Sequence, residues 1–406
     1  VRIEGIAITD SPREQGWARL GATVIYGDGT AAPESVWVEV PAIHAGALRP
    51  TGDFLVAALA PLAATRHEHL NVAGPVDPGL RANLQEVTRV WRSWYPGLRE
   101  VAIAVDSPAP APEALRRRPA ASFFSGGVDS FFTVLRHAAG DGTPSNVTID
   151  DLILIHGFDI PLDNVDAFTT VRASLSRAAD ALGKRLVPVA TNLRETRFRE
   201  ADWSGLSHGA ALAGVAHALG NAYEAVLIGS SAGYRDLRFW GSHPLTDPMF
   251  TSSGTRIIHD GAAFMRVEKT ACVARSPIAR QHLRVCYKSR DGGNCGSCNN
   301  CYRTMLALDA LGVLDECATF DRRSLQLARV ERVFCRHDFD IRQFGYVLDL
   351  ARQKGRADIV QAVEVALAGS ERLRRRIRTL RALRDKPVFW RWAPAWERRM
   401  LRGWID

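Results

Sequence analysis

The feature that most constrains this chain is the run Ser125-Gly126-Gly127-Val128-Asp129-Ser130, which follows the apolar stretch 121–124 and opens the apolar-periodic stretch 128–138. Two adjacent glycines lack Cβ, so the backbone can turn sharply and lie close against another group. A strand passing through such a turn into a helix aims the helix N-terminal N–H groups at the turn, and these groups favour an anion such as phosphate. Hydroxyls of Ser125 and Ser130 add donors, each charge-assisted bond being worth roughly 1.5–3 kcal/mol. Asp129 beside a phosphate calls for a bridging Mg²⁺. No Lys follows the glycines, so the run is not a Walker loop.

Apolar stretches 152–156, 185–189 and 225–228 continue the strand rhythm, with helical patterns over 165–182 and 207–219. Short apolar strands alternating with helices predict an α/β fold, a doubly wound parallel sheet covered on both faces. Such sheets bind ligands beyond the carboxyl ends of their strands. That rule selects His156, Gly157 and Phe158, then Thr191 and Asn192, then Gly229 and the residues after it. Upstream, 2–9, 17–26, 36–40 and 100–106 read as strands and 53–66 and 78–94 as helices, an N-terminal α+β domain over 1–106. The Pro-rich stretch 107–112 reads as a stiff spacer, within a linker 107–120 that precedes a domain over 121–308. From 309 to 406 the pattern is a helical extension, with helices expected at 321–334, 341–352, 357–368 and 372–384.

The 406 residues are 46% hydrophobic and 24% charged, a soluble globular balance. The most apolar early stretch, 54–64, is too short to span a bilayer, and no cationic leader opens the chain. The expected location is cytoplasmic. The net charge of +8 sits in 371–406, where twelve Lys/Arg face four Asp/Glu. That tail also carries Trp390, Trp392, Trp396 and Trp404. Its composition suits RNA, a membrane surface, a partner or second subunit, or an amphipathic helix packed on its own protein.

Four of the seven cysteines, Cys286, Cys295, Cys298 and Cys301, fall within sixteen residues. Four thiolates suit tetrahedral Zn²⁺, and the two Cys-x-x-Cys steps from Cys295 to Cys301 form a tight knuckle; an iron–sulfur cluster is the rival. Gly292, Gly293 and Gly296 let the loop curl around the sulfurs. Structural zinc contributes on the order of 10–16 kcal/mol in small peptides, enough to order a polar loop. Cys272, Cys317 and Cys335 are scattered and read as reduced core thiols.

The run Ser125–Ser130 resembles the PP-loop of N-type ATP pyrophosphatases, whose fold is of the HUP type. The stretch from Lys269 to Arg303, with Val285-Cys286-Tyr287 and Cys295-Gly296-Ser297-Cys298, is similar to the C-terminal part of QueC, the 7-cyano-7-deazaguanine synthases. The resemblance spans roughly 121–308 and implies ATP, Mg²⁺ and Zn²⁺ as cofactors. It implies adenylation of a carboxylate such as 7-carboxy-7-deazaguanine, release of pyrophosphate, and displacement of AMP by ammonia or an amine. Asp129, Ser130 and Lys269 would act in catalysis, and Lys269 would contact the ATP phosphates. Ser125, Gly126, Gly127, Val128, His156, Gly157, Phe158, Thr191 and Gly229 would complete the nucleotide site.

The family's Pro-Gly-Arg-Asn segment is replaced here by Ser207-His208-Gly209-Ala210-Ala211, and the loop after the fourth strand reads Gly229-Ser230-Ser231-Ala232-Gly233-Tyr234-Arg235-Asp236. His208, Tyr234, Arg235, Asp236, His243 and Arg303 are therefore the substrate candidates, with Asp247 beside His243. His217 reads as core, and His259-Asp260 as a turn pair. QueC-like enzymes with extra domains also occur in anti-phage defence operons of the type IV CBASS and Qat kinds, where the implied acceptor is a protein amine. A tRNA-modifying PP-loop enzyme and a non-catalytic nucleotide-binding subunit are the alternative expectations.

Overall fold

Alternating burial marks the first strands. In Trp17–Ile25 the side chains of Ala18, Leu20, Ala22 and Val24 are buried while Arg19, Gly21, Thr23 and Ile25 stay partly exposed, as a strand with one covered face requires. The structure, a computed structural model, describes residues 1–29, 31–110, 118–140, 147–384 and 404. It falls into two compact units, Val1–Phe264 and Met265–Asp406.

The first unit opens with β1 (Arg2–Asp10), β2 (Trp17–Ile25), β3 (Glu34–Pro41), α1 (Asp53–Arg66), β4 (Leu70–Val76), α2 (Pro78–Trp94) and β5 (Ile103–Pro108). It continues with β6 (Ala120–Phe123), α3 (Val128–Ala138), β7 (Ile149–His156), α4 (Val165–Ala181), β8 (Arg185–Thr191), α5 (His208–Ala218), β9 (Ala225–Gly229) and β10 (Arg256–Asp260). The ten strands form one sheet in the order β10-β9-β6-β7-β8-β3-β2-β1-β4-β5. The five from β10 to β8 are parallel neighbours. β6, the first of these in the chain, lies in their middle, with β7 and β8 to one side and β9 and β10 to the other. The winding direction reverses between β6 and β9, which leaves a crevice at the carboxyl ends of those two strands.

The N-terminal segment does not stand apart, as a domain over 1–106 with a linker at 107–120 would require. β3 pairs antiparallel with β8, Val38 facing Thr191 and Glu39 facing Ala190. The meander β1–β3 therefore extends the parallel half instead of leaving β8 as a bare edge. Two side chains carry the pairing past the strand end. The Thr191 hydroxyl donates to the Trp37 carbonyl at 2.7 Å. The Asn192 amide accepts from Trp37 N–H at 3.0 Å and donates to the Ser35 carbonyl at 2.7 Å. α1 is buried along nearly its whole length, from Asp53 to Ala64, and packs on α5, where a Cβ on Gly214 would meet Ala58 Cβ and the Phe54 carbonyl at 2.8 Å. Ser107 and Pro108 end β5. Ala109 and Pro110 follow, Ala109 N–H donating to the Val76 carbonyl at 2.9 Å, and 111–112 lie outside the described residues.

The second unit contains α6 (Arg266–Ala274), α7 (Pro277–His282), α8 (Asn299–Ala310), α9 (Leu327–Val330), α10 (Asp338–Gln353) and α11 (Ala357–Arg384). Tyr302, Leu306, Phe344, Val347, Ile359 and Val363 form its core. The helix expected over 321–334 is reduced to the single turn α9. Asp321 caps a separate short turn by accepting from Arg323 N–H at 3.0 Å. The Ser370 hydroxyl then holds the following segment extended, accepting from Cys335 N–H at 3.0 Å and donating to the Val333 carbonyl at 3.1 Å. The helices expected at 357–368 and 372–384 are one, α11. Trp404 packs edge-on against Phe334 at 6.3 Å, whereas Trp390, Trp392 and Trp396 lie outside the described residues. Among the described residues no helix is long and apolar enough to cross a membrane.

Gly157 tests this joint. Its φ is 102°, and a Cβ there would lie 2.0 Å from the Thr191 carbonyl oxygen. Gly157→Ala should cost more than about 2 kcal/mol in urea unfolding. Gly140→Ala, at φ 67° with nothing within 4 Å of the added carbon, should cost only about 1 kcal/mol.

Candidate functional site

β6 ends at Phe123, and the Phe124 N–H still bonds the β7 carbonyl of Ile153 at 2.8 Å. The chain then turns through Gly126 at φ 77°, a conformation that costs glycine little. Gly127 occupies the N-cap of α3, and no side chain caps that helix. α2 and α4 differ, since Asp77 accepts from Leu80 N–H and Asn164 from Ala167 N–H. α3 thus starts without a side-chain cap, at the end where a helix presents N–H groups outward. They meet the turn with the positive end of the helix dipole. Ser125 is exposed. The Ser130 hydroxyl donates to the Gly127 carbonyl at 3.1 Å, which leaves its oxygen able to accept. Across the crevice, a Cβ on Gly229 would lie 3.0 Å from the Asp129 carbonyl oxygen, so a larger residue there would press β9 against the first turn of α3.

A buried carboxylate fixes α3 to the edge strand. Asp260, the last residue of β10, accepts from the Thr133 hydroxyl at 2.9 Å and faces His137 Nε2 at 3.1 Å, with Arg136 at 3.9 Å. Burial opposes its ionisation, but His137, Arg136 and Thr133 outweigh burial and hold its pKa below the usual carboxylate range. His259-Asp260 is thus a strand end and not a turn pair. Neither the Asp260 anchor nor the pairing of His259 with the loop before it was legible from local spacing.

The residues after β7 and β8 turn their groups inward. His156 is buried, its Nε2 bonds the Pro161 carbonyl at 2.9 Å, and its ring stacks on Phe168 at 4.2 Å. Burial lowers its pKa, against the pull of that carbonyl. Gly157 N–H donates to the Ile160 carbonyl at 2.9 Å, and the Phe158 carbonyl accepts from Arg194 at 2.6 Å. These groups, like the Thr191 hydroxyl, already have protein partners. They hold the strand exits together.

Residues 230–255 form a long insert between β9 and β10. Its stem stacks Phe239 on Trp94 at 5.1 Å and 11° and sets His243 edge-on to Trp94 at 4.9 Å. His243 Nδ1 accepts from Leu245 N–H at 3.1 Å, and burial together with nearby His259 lowers its pKa. Tyr234 is 60% exposed, Arg235 is exposed and Asp236 is buried. His208 opens α5. Its Nδ1 lies 2.9 Å from the Trp203 carbonyl, its ring lies between Trp203 and Trp240 at 5.9 and 5.7 Å, and burial lowers its pKa. His217 is core, bonded to the Phe250 carbonyl at 2.7 Å.

In the second unit the four expected cysteines converge, with all four Sγ atoms within 4.8 Å of one another. Cys286 and Cys298 are 3.9 Å apart and Cys295 and Cys301 3.8 Å apart. A tetrahedron with metal–sulfur bonds of about 2.3 Å has edges of about 3.8 Å, so the cluster can hold a metal ion such as zinc. Lys288 N–H points at Cys286 Sγ at 3.3 Å. Cys301 holds Cys298 down to about 5, whereas Cys298 and burial push Cys301 far up. Four thiolates this close need a cation to ionise together. Asn294 clasps the loop by accepting from Val285 N–H and donating to the Leu283 carbonyl, both at 2.9 Å. Gly296, at φ 67°, leaves no room for a Cβ beside Ser324. Arg303, in α8, donates to Asn300 Oδ1 at 2.8 Å. Lys269, in α6, is 1% exposed.

Comparisons with protein-family models, with curated proteins and with solved structures find no match to this chain.

Metal analysis of the purified chain should find one ion bound through these sulfurs. Cys298→Ser, or a strong chelator, should release it and lower the melting temperature. An unaltered melting curve after complete metal removal would exclude a structural role for the ion.

Proposed function

We propose that the chain is a QueC-like ATP-dependent C–N ligase. It binds ATP at Ser125–Ser130, adenylates a carboxylate of the 7-carboxy-7-deazaguanine kind with release of pyrophosphate, and passes the acyl group to ammonia or an amine. The observation that carries this reading is the uncapped start of α3 behind Gly126 and Gly127, at the reversal point of a parallel sheet. A glycine N-cap forgoes only a few tenths of a kcal/mol against Ser or Asp, and the N–H groups it leaves uncovered favour an anion.

Each residue has a role that its chemistry suits. The amides from Gly126 to Ser130 hold the pyrophosphate portion of ATP. Asp129 carries Mg²⁺, which when bound neutralises charge on the phosphates. Gly229 keeps β9 close, so the reacting carboxylate and the α-phosphorus are held in line by position, and no side-chain nucleophile is required. Zinc is the ion assigned to Cys286, Cys295, Cys298 and Cys301. Sulfur separations near the tetrahedral edge fit one ion, whereas an iron–sulfur cluster would hold its cysteines farther apart.

With ATP and 7-carboxy-7-deazaguanine, wild-type protein should release pyrophosphate in a carboxylate-dependent way. Asp129→Ala should lower that release at least about 100-fold without altering the circular-dichroism spectrum. Release that is insensitive to Asp129→Ala would remove the phosphate loop from the chemistry.

A further inference from the structure

The insert between β9 and β10 contributes the acid, and β10 the imidazole, of a buried pair. Asp247 is 0% exposed, and its Oδ2 lies 2.7 Å from His259 Nδ1, whose side chain is 3% exposed. Ser242 Oγ donates to the same oxygen at 2.6 Å, and His243 N–H donates to Oδ1 at 3.1 Å. The surroundings leave Asp247 no freedom. A Cβ on Gly209 would lie 2.8 Å from Asp247 Oδ1 and 2.3 Å from the Gly241 carbonyl. A carboxylate offers only acceptors, so His259 Nδ1 carries a hydrogen, and in the neutral ring the lone pair is on Nε2. That Nε2 is buried and has no hydrogen-bond partner among the described residues, and the same is true of Thr246 Oγ1 next to Asp247. A buried nitrogen whose tautomer is fixed and whose lone pair is unused is an uncommon feature in a folded chain.

Its position is also informative. His259 faces Ile228 in the β9–β10 ladder, and Leu227 faces Ser122 in the β9–β6 ladder. His259 therefore stands level with the last residue of β6, two strands away, roughly 10 Å across the sheet. It lies at the carboxyl end of the strands, beside the reversal point.

We propose that His259, positioned by Asp247, is the general base of the second half-reaction, and that the nucleophile it serves is ammonia. This assignment rests on the ligase reading above. The nitrogen of ammonia forms a bond to the acyl carbon, the carbon–oxygen bond to AMP breaks with its electron pair leaving on AMP, and the surplus proton passes to His259 Nε2. Nε2 is closed to solvent, so this end of the site must open even for ammonia and farther for a bulkier amine. Hydroxylamine, small and already uncharged at neutral pH, needs the base least.

The test uses the full chain with ATP, 7-carboxy-7-deazaguanine and ammonia, methylamine or hydroxylamine. It follows first-turnover pyrophosphate and acyl transfer separately, with nitrogen-15 histidine spectra of the same protein. His259→Asn keeps a donor toward Asp247 in place of Nδ1. The expected result is a bare Nε2 in the wild-type spectrum and poor use of methylamine. Ammonia transfer by His259→Asn should fall about 100-fold while pyrophosphate release persists, and hydroxylamine should restore transfer. A hydrogen on Nε2, equal transfer by His259→Asn, or no restoration by hydroxylamine overturns the assignment while leaving the ligase reading standing. Absence of carboxylate-dependent pyrophosphate from wild type overturns the ligase reading, and this assignment with it.

Discussion

The contact between β3 and β8 spans two residue pairs, yet the ten-stranded sheet of the first unit is continuous only because of it. On one side lie five parallel strands that carry the turn at Ser125–Ser130. On the other lies a five-stranded mixed half whose helices α1 and α2 cover the core. Thr191 and Asn192 lengthen the joint with side-chain hydrogen bonds to backbone groups of β3. Gly157 then lies so close to the Thr191 carbonyl that the exits of β7 and β8 are fixed relative to each other. The N-terminal hundred residues thus belong to the scaffold of the crevice, because they close the edge that would otherwise let it splay.

The polar groups inside that scaffold divide into two kinds. Most are satisfied: Asp260 holds α3 to β10, and Asp247 collects donors from Ser242, His243 and His259. Two features differ: α3 begins without a side-chain cap, and His259 Nε2 has no hydrogen-bond partner among the described residues. Stability alone would favour a Ser or Asp cap in front of α3, as α2 and α4 have their caps. α1 and α5 also begin without side-chain caps, so what sets α3 apart is its place at the reversal point of the sheet.

Local chemistry was legible in the sequence, and long-range pairing was not. The run Ser125–Ser130 reads correctly as strand, turn and helix because its glycines and flanking apolar stretches act within a dozen residues. Cys286, Cys295, Cys298 and Cys301 converge as their spacing implied. The pairing of β3 with β8 joins residues 153 positions apart, Val38 with Thr191, and no local pattern encodes it. An edge strand seeking any partner looks the same from either side. Thr191 and Asn192 therefore read as strand-end ligand groups although they stitch the sheet. His259-Asp260 reads as a turn because polar pairs usually mark one, whereas here each residue serves a different face of β10.

The central claim is that the loop at Ser125–Ser130 transfers AMP to a carboxylate. Its most direct test is isotopic. The chain is incubated with ATP and 7-carboxy-7-deazaguanine labelled with oxygen-18 in the carboxylate, and the mass of the AMP formed is measured. An acyl-adenylate passes one carboxylate oxygen to AMP when the acyl group leaves, so the account predicts labelled AMP together with pyrophosphate. Unlabelled AMP, or ADP in place of AMP, would contradict it.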